Sequence, residues 1–119
     1  MTYSDIVEKL RFRLKDAAHT RYSDMELLED VRASLETLGW RMTEVGLEAP
    51  WLEDDDFAAP GMDDTVTLDE SLVSVVVALA QAIEGGDPRM VQAIADVALR
   101  ACVSVLGEAI EPDSDELPW

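Results

Sequence analysis

A capping box at the start of one helix constrains this chain most strongly, because it fixes where a long helix begins. Ser23 is followed three positions later by Glu26, so the serine hydroxyl can accept from the Glu26 amide while the glutamate reaches back to the Ser23 amide. Tyr22, just before the cap, is placed to pack on Leu27 one turn into the helix. The pattern predicts that two helices meet at a defined angle around Ser23.

A first helix is predicted over residues 3–17, upstream of this joint. Thr2 and Asp5 provide a cap that is weaker than the one at Ser23. One face carries apolar residues at helical spacing and is predicted to be buried: Ile6, Val7, Leu10, Leu14 and Ala17. Four bases lie off this stripe: Lys9, Arg11, Arg13 and Lys15. Their face is either solvated helix surface or a docking face for an acidic neighbour, and the sequence leaves both alternatives open.

The second helix is predicted to run from Asp24 to about Val45, with Gly46 as its C-cap. Its apolar residues alternate by three and four: Leu27, Leu28, Val31, Leu35, Leu38, Met42 and Val45. Gly39 lies inside this pattern, and a mid-helix glycine costs roughly 1 kcal/mol relative to alanine. The segment is therefore either one continuous helix or two helices that meet near Gly39.

A long acidic loop is predicted over residues 47–67, which lack a helical period. Trp51 and Phe57 flank the acids at 53–56. A calcium loop is disfavoured, because the glycine at the sixth position and the bidentate glutamate at the twelfth are missing. Two alternatives remain: a solvated loop whose aromatic side chains pack under the domain, or an arm that reaches another chain. Residues 65–67 could add a short β-strand or hairpin.

Thr67 and Glu70 form a second capping box, which is predicted to open a third helix. Apolar residues lie nearly all round this helix: Leu68, Leu72, Val73, Val75, Val76, Val77, Ala78, Leu79, Ala80, Ala82 and Ile83. Such a helix is buried on most sides, either by its own domain alone or by its own domain and another subunit.

A fourth helix is predicted from Pro88 to residue 110, after a tight corner. Gly85 and Gly86 end the third helix, and Asp87 caps the fourth. Small residues at 95, 98 and 101 allow close helix approach. Cys102, the only cysteine, lies in an apolar run and is predicted to be a buried thiol.

The predicted fold class is all-α: a small four-helix bundle in a single domain over residues 1–110, with the acidic loop between helices 2 and 3. Residues 111–119 are expected to form a flexible acidic tail. The alternative for this tail is a peptide that places Leu117 and Trp119 in a neighbour's groove.

Acidic residues dominate the composition, and they are unevenly placed. The chain has 26 acids against 9 bases, a net charge of −17, and Arg89 and Arg100 are the only bases after residue 46. Nucleic-acid binding normally needs clustered Lys and Arg, so direct DNA binding is disfavoured. No apolar run approaches 18 residues and no secretion signal is visible, so we expect a soluble protein without a membrane segment.

The sequence contains no recognisable motif of a catalytic or cofactor-binding site. His19 has no second His or Cys in a zinc-binding arrangement, and no phosphate-binding glycine loop or nucleophile motif occurs. The carboxylates cluster in loops, without an apolar wall that would separate two pKa values for acid–base work. We therefore expect a non-enzyme that needs no cofactor or metal.

The order of these elements resembles the head–tail connector (adaptor, head-completion) proteins of tailed bacteriophages. The resemblance covers most of residues 3–110 and depends on four features in order. These are a first helix ending Leu14-Lys15-Asp16, the segment Tyr22-Ser23-Asp24-Met25-Glu26-Leu27-Leu28, a long excursion ending Thr65-Val66-Thr67-Leu68-Asp69, and an apolar αα-hairpin.

The resemblance implies a structural role without catalytic residues. Proteins of that family are small helical bundles with a long loop, and about a dozen copies form a ring under the portal that continues the DNA channel. The expected partners are therefore further copies of the chain, the portal protein and tail or stopper proteins, in the neck of the virion.

The leading hypothesis from the sequence is a ring subunit whose basic first helix faces the acidic loop of the next copy. The candidate interface residues are Lys9, Arg11, Arg13, Lys15, Trp51, Asp54, Asp55, Phe57, Leu117 and Trp119. The alternative is an acidic inhibitory or DNA-mimic protein that occupies a basic site on a host enzyme. A third possibility is a cytosolic helical interaction domain with no phage role.

Overall fold

The computed structural model describes residues 1–16, 20–55 and 57–107, and it confirms the all-α fold class. Within these residues the chain forms α-helices and no β-strand: α1, Tyr3–Arg13; α2, Asp24–Glu44; α3, Val73–Gly85; and α4, Pro88–Gly107. Two short 3₁₀ helices, Pro50–Glu53 and Glu70–Leu72, lie between α2 and α3. The long connection between the second and third helices is thus present where it was predicted.

Helix α2 organises the core, because it packs against α1, α3, α4 and the first 3₁₀ helix. Six of the seven residues of its predicted apolar stripe are buried: Leu27, Leu28, Val31, Leu35, Leu38 and Met42. The seventh, Val45, is exposed, because it lies at the C-cap, beyond the last residue of the helix. Burying one such side chain stabilises the fold by roughly 1.5–3 kcal/mol. The Ser34 hydroxyl, on the same helix, donates to the Val76 carbonyl of α3 at 2.8 Å, so the small polar group in the core is satisfied.

The cap of α1 is more complete than the sequence predicted, and the cap of α2 is less complete. Thr2 and Asp5 form a full capping box, in which the Thr2 amide donates to the Asp5 carboxylate at 2.9 Å and the Asp5 amide donates to the Thr2 hydroxyl. Ser23 caps α2 as predicted and accepts from the Glu26 amide at 3.1 Å. The Glu26 carboxyl, however, contacts Glu84 of α3. Only one half of the capping box at Ser23 is therefore formed, because the Glu26 side chain contacts α3 and not the Ser23 amide.

Helix α1 ends at Arg13, which corrects the predicted end at residue 17. Lys15 has φ 59°, a left-handed conformation that stops the helix. The Lys15 amide then donates to the Phe12 carbonyl, and the Asp16 amide donates to the Arg11 carbonyl at 2.9 Å. These two hydrogen bonds form a Schellman motif. Residues 17–19, which include His19, lie outside the described part of the chain.

Helix α2 continues through Gly39 without a break, and Gly46, with φ 82°, lies just beyond its end as predicted. A Cβ atom at position 39 would lie 2.9 Å from Cδ1 of Leu52, in the first 3₁₀ helix. The glycine therefore allows the loop to pack directly on the helix backbone.

The first half of the acidic loop is fastened beneath α2. Trp51 is 1 % exposed, and its indole N–H donates to the Leu35 carbonyl at 2.8 Å. Phe57 is also buried; its carbonyl accepts from Arg32 Nε at 2.9 Å, and the Arg32 guanidinium lies 5.2 Å from the centre of its ring. Both aromatic side chains thus follow the first of the two alternatives and belong to the chain's own core.

The second half of the loop returns to the start of α1. Three backbone hydrogen bonds join the two segments: Tyr3 N–H to Asp64 O, Ser4 N–H to Met62 O, and Val66 N–H to Met1 O. The predicted β-strand at 65–67 is reduced to an isolated bridge between Thr2 and Thr65.

The start of α3 also corrects the sequence prediction. The Thr67 amide and hydroxyl donate to the Asp54 carboxylate at 2.9 and 2.7 Å, so Thr67 closes the loop and does not cap a helix. Asp69 instead caps the second 3₁₀ helix, where it accepts from the Ser71 amide at 2.9 Å. Helix α3 begins after this turn, at Val73.

The predicted α3–α4 hairpin is confirmed at its corner. Gly86 has φ 74° and ends α3, the Asp87 carboxylate accepts from the Arg89 amide at 3.0 Å, and Pro88 begins α4. Cys102 is buried, as predicted, and burial raises the pKa of its thiol to about 11. The last three residues of the predicted fourth helix, 108–110, lie outside the described range.

Candidate interface on the first helix

A groove of about 1140 Å³ lies between α1 and α3. Its apolar lining residues are Met1, Phe12, Leu68, Val73 and Val77. Its charged lining residues are Lys9, Arg13, Asp5, Glu8 and Glu70. The groove therefore combines an apolar floor with two of the bases predicted as interface residues.

Phe12 is the feature of this groove that the sequence analysis missed. Its side chain is 78 % exposed, although it lies in the last turn of α1, between Lys9 and Arg13. A large aromatic side chain left in water on a helix is an informative observation, unlike an exposed small residue. The available signal was its position off the Ile6–Leu10 stripe, on the face that carries the bases.

Arg13 lies between the groove and a smaller neighbouring one. Its Nε–H donates to Gln81 Oε1 of α3 at 2.9 Å. The smaller groove, about 350 Å³, is lined by Arg13, by the end of α3 and by Met90 and Ile94 of α4. Arg13 thus sits at the centre of a surface formed by three helices.

The four predicted bases of α1 do not form one face. Lys9 and Arg13 are exposed at the groove, and Lys15 is exposed at the turn that ends the helix. Arg11 is only 1 % exposed and is therefore removed from the candidate interface.

Arg11 holds the joint between α1 and α2. Its guanidinium donates to Asp16 at 2.8 Å, to the Tyr22 carbonyl at 2.9 Å and to Asp24 at 2.6 Å. Asp24 is in the first turn of α2, so this one side chain joins the end of one helix to the start of the next. A buried guanidinium is tolerated only with such partners.

Asp16 is the centre of the same joint. Its two carboxylate oxygens accept from the backbone amides of Thr20, Arg21 and Tyr22, each at 3.0 Å. Burial by itself would raise the pKa of Asp16, but these amides and the Arg11 guanidinium outweigh it and hold the pKa below its usual value. The ionised carboxylate therefore shapes the corner.

The acidic loop presents fewer of its predicted interface residues than the sequence suggested. Trp51 and Phe57 are buried, and Asp54 is engaged with Thr67. Asp55 is exposed, and so is Glu53 beside it. Only the acids of the loop, and not its aromatic residues, remain available to a partner.

The two tail residues in the predicted interface, Leu117 and Trp119, lie outside the described residues. Among the residues that are described, no group of three His, Cys, Asp or Glu side chains is placed to hold a metal ion. None of the described helices is both long and apolar enough to cross a bilayer.

Comparison with known proteins gave no relative. No protein-family model, curated protein or solved structure matched the chain.

Proposed function

We propose that this chain is a structural subunit of the head–tail connector of a tailed bacteriophage, forming a ring beneath the portal that extends the DNA channel. The proposal starts from the order of elements in the sequence. Its main support in the molecule is Phe12, which is 78 % exposed between two bases at the rim of a groove. In this proposal the chain has no catalytic role, and its partners are further copies, the portal protein and tail or stopper proteins.

The charge of the chain makes contact between copies costly unless opposite charges meet. The net charge is −17, and Lys9, Arg13 and Lys15 are exposed on α1. An exposed ion pair contributes only about 0–1 kcal/mol, so charge alone cannot hold two copies together. Burial of an exposed phenyl ring adds an apolar contribution of roughly 1.5–3 kcal/mol. We therefore place Phe12 at the centre of the contact, with the bases around it.

The acids that would face these bases are Glu53 and Asp55 of the next copy. Both are exposed in the loop. Asp54, in contrast, already accepts two hydrogen bonds from Thr67 of its own chain. Replacing Asp54 would open the loop, and it is therefore a poor choice for testing the interface.

The first experiment compares two equally exposed apolar residues. The purified chain is mixed with the portal protein encoded in the same phage genome, and complexes are counted by native mass spectrometry and electron microscopy. Phe12→Ser should reduce ring formation at least tenfold. Met25→Ser is the matched control, because Met25 is also 78 % exposed but lies on α2, outside the groove. Equal losses in both variants would contradict the assigned surface.

The second experiment tests the charges by reversal. Changing Lys9 and Arg13 to Glu should weaken assembly, and adding Glu53→Lys and Asp55→Lys in the same chain should restore part of it. High salt should shrink both effects, because screening acts over roughly 8–10 Å at physiological ionic strength. No rescue in a folded variant would exclude the contact between helix and loop. A wild-type chain that never joins the portal and instead displaces DNA from a host enzyme would support the acidic inhibitor.

A further inference from the structure

Three carboxyl groups meet where α2 packs against the last turn of α3. Glu26 and Asp30 lie one turn apart on α2, and Glu84 lies next to the end of α3. Asp30 is only 9 % exposed, and its Oδ2 atom is buried without a hydrogen bond from any donor in the described residues. A buried carboxylate without a donor is costly, so this site requires an explanation.

Asp30 is in contact with another carboxyl group. Asp30 and Glu84 are in hydrogen-bonding contact, and Glu84 also contacts Glu26. Two ionised carboxylates cannot form a hydrogen bond, because both are acceptors only. If one of them carries a proton, it donates to the other, and a hydrogen bond between an acid and a carboxylate is among the stronger ones in proteins.

We propose that Asp30 and Glu84 share one proton, and that this acid–carboxylate pair fastens α2 to α3 in a pH-dependent way. At mildly acidic pH the pair is a hydrogen bond. As the pH rises and the proton leaves, the same two groups become like charges in contact. The start of α2 and the end of α3 then repel each other.

The charges that raise the pKa values of the pair are those of other acids. Glu29, on α2, adds a further negative charge near Asp30. Four charged groups of α1 and α4 near α2 or the hairpin corner have partners of their own: Arg13 with Gln81, Arg11 with Asp16 and Asp24, Asp96 with Arg41, and Asp87 with the Arg89 amide.

The electrostatics of the pair agree in direction. Burial raises the pKa of Asp30, and the charges of Glu26 and Glu29 raise it further, against the hydrogen bond from Glu84. Donation to Asp30 raises the pKa of Glu84, with burial adding to the effect, against the hydrogen bond from Glu26. The same contact with Glu84 raises the pKa of Glu26. The folded chain therefore keeps this proton to a higher pH than the unfolded chain does.

The sign of the pH effect follows from linkage. Groups whose pKa is raised in the folded state favour folding below their unfolded pKa, about 4 for a carboxyl, and this contribution is lost as the pH rises through the folded value. Stability should therefore fall as the pH rises above the unfolded value and through the raised folded value. Asp30→Asn should weaken this dependence, because the amide can donate to ionised Glu84 without a titrating proton. Glu84→Gln should weaken it more, because Glu84 contacts both Asp30 and Glu26.

The test measures the folding equilibrium constant of the full chain by urea unfolding at pH 4.5, 5.5, 6.5 and 7.5. For wild type we expect a constant at least tenfold larger at pH 4.5 than at pH 7.5. For Glu84→Gln, which replaces the acid in contact with both Asp30 and Glu26, we expect less than a threefold change. For Asp30→Asn we expect a change smaller than in wild type and larger than in Glu84→Gln. Glu44→Gln is the control, because it removes one exposed acid from the same helix and should keep the wild-type slope.

Carbon NMR of the side-chain carboxyls provides a direct readout. The Asp30 and Glu84 signals should titrate together and above the exposed acids, and in Asp30→Asn the Glu84 signal should titrate at a lower pH than in wild type. Equal slopes in wild type, Asp30→Asn and Glu44→Gln would assign the pH effect to overall charge and overturn the proposal. So would two carboxyl signals that titrate independently at ordinary values.

Discussion

The joint around Arg11 and the pair formed by Asp30 and Glu84 both place buried carboxyl groups beside the first turns of α2, with opposite consequences. At the joint, Asp16 faces a guanidinium and three amides, which stabilise its charge. At the second site, the groups that shift the pKa of Asp30 are other acids: Glu84, Glu26 and Glu29. Burial is similar at the two sites, so the partner determines the preferred protonation state. The same chain therefore contains one carboxylate that resists protonation and one that favours it.

This difference gives the two sites different roles: the joint has a fixed structural role, and the acid pair has a pH-dependent one. The joint favours the ionised form of Asp16, and its hydrogen bonds fix the angle between α1 and α2. In our proposal the acid pair changes its interaction from attraction to repulsion as the pH rises and its proton leaves. Both sites are made largely of charged residues, which shows that composition does not distinguish them.

The largest effect should come from removing the cation of the joint. Arg11→Ala should lower the free energy of unfolding by about 3–5 kcal/mol, because it leaves buried carboxylate without its counter-charge. Urea unfolding at pH 7 measures this loss. Arg13→Ala is the control on the same helix and should cost about 0–1 kcal/mol, since that side chain is exposed. Similar losses in both variants would show that the Arg11 network does not hold the joint.

The loss of stability at low pH should come from protonation of Asp16 in the joint. The pKa of Asp16 is lowered in the folded chain, so its contribution is present above the unfolded pKa of about 4 and is lost as the pH falls through the folded value. Stability of wild type should therefore decrease below about pH 4. In Asp16→Asn this decrease should be smaller, while the slope between pH 4.5 and 7.5 should be retained. A change in the neutral slope instead would mean that the two sites are coupled.

Local rules predicted the ends of several helices from the sequence. The Ser23 cap, the Gly46 end of α2 and the corner from Gly86 to Pro88 each depend on residues within one turn of each other. Thr67 is the exception. It has the spacing of an N-cap, but its hydroxyl donates to Asp54, thirteen residues upstream. Rules based on local spacing do not predict the role of a side chain whose hydrogen-bond partner is distant in the sequence.

The candidate site was less predictable for the same reason. Lys9, Arg11 and Arg13 look alike in the sequence, yet only Arg11 is buried, because its partners come from the corner and from α2. A weak signal existed: Arg11 lies four residues after buried Val7, so the two share a helix face. Gly39 is comparable, since its cost in a helix was visible but the slot it provides for Leu52 was not.

The smallest effect, and the sharpest comparison, concerns the turn that delivers Asp16 to Arg11. Lys15 has φ 59°, where a residue with a side chain is strained by about 1–2 kcal/mol relative to glycine. Glycine loses part of this gain through the greater freedom of its unfolded chain, so Lys15→Gly should raise the free energy of unfolding by about 0.5–1 kcal/mol. Lys15→Ala keeps the strain and removes the charge at the end of the helix, and it should therefore lower stability by a few tenths of a kcal/mol.

Thermal and urea unfolding of the two Lys15 variants separate backbone strain from charge. If glycine and alanine have the same effect, the left-handed turn stores no strain and the charge of Lys15 explains the change. Because the substitution lies in the joint, it should leave the slope between pH 4.5 and 7.5 as it is in wild type. If Lys15→Gly changes the slope of stability against pH, the angle between α1 and α2 controls the distance between Asp30 and Glu84. The joint would then determine the pH response of the acid pair.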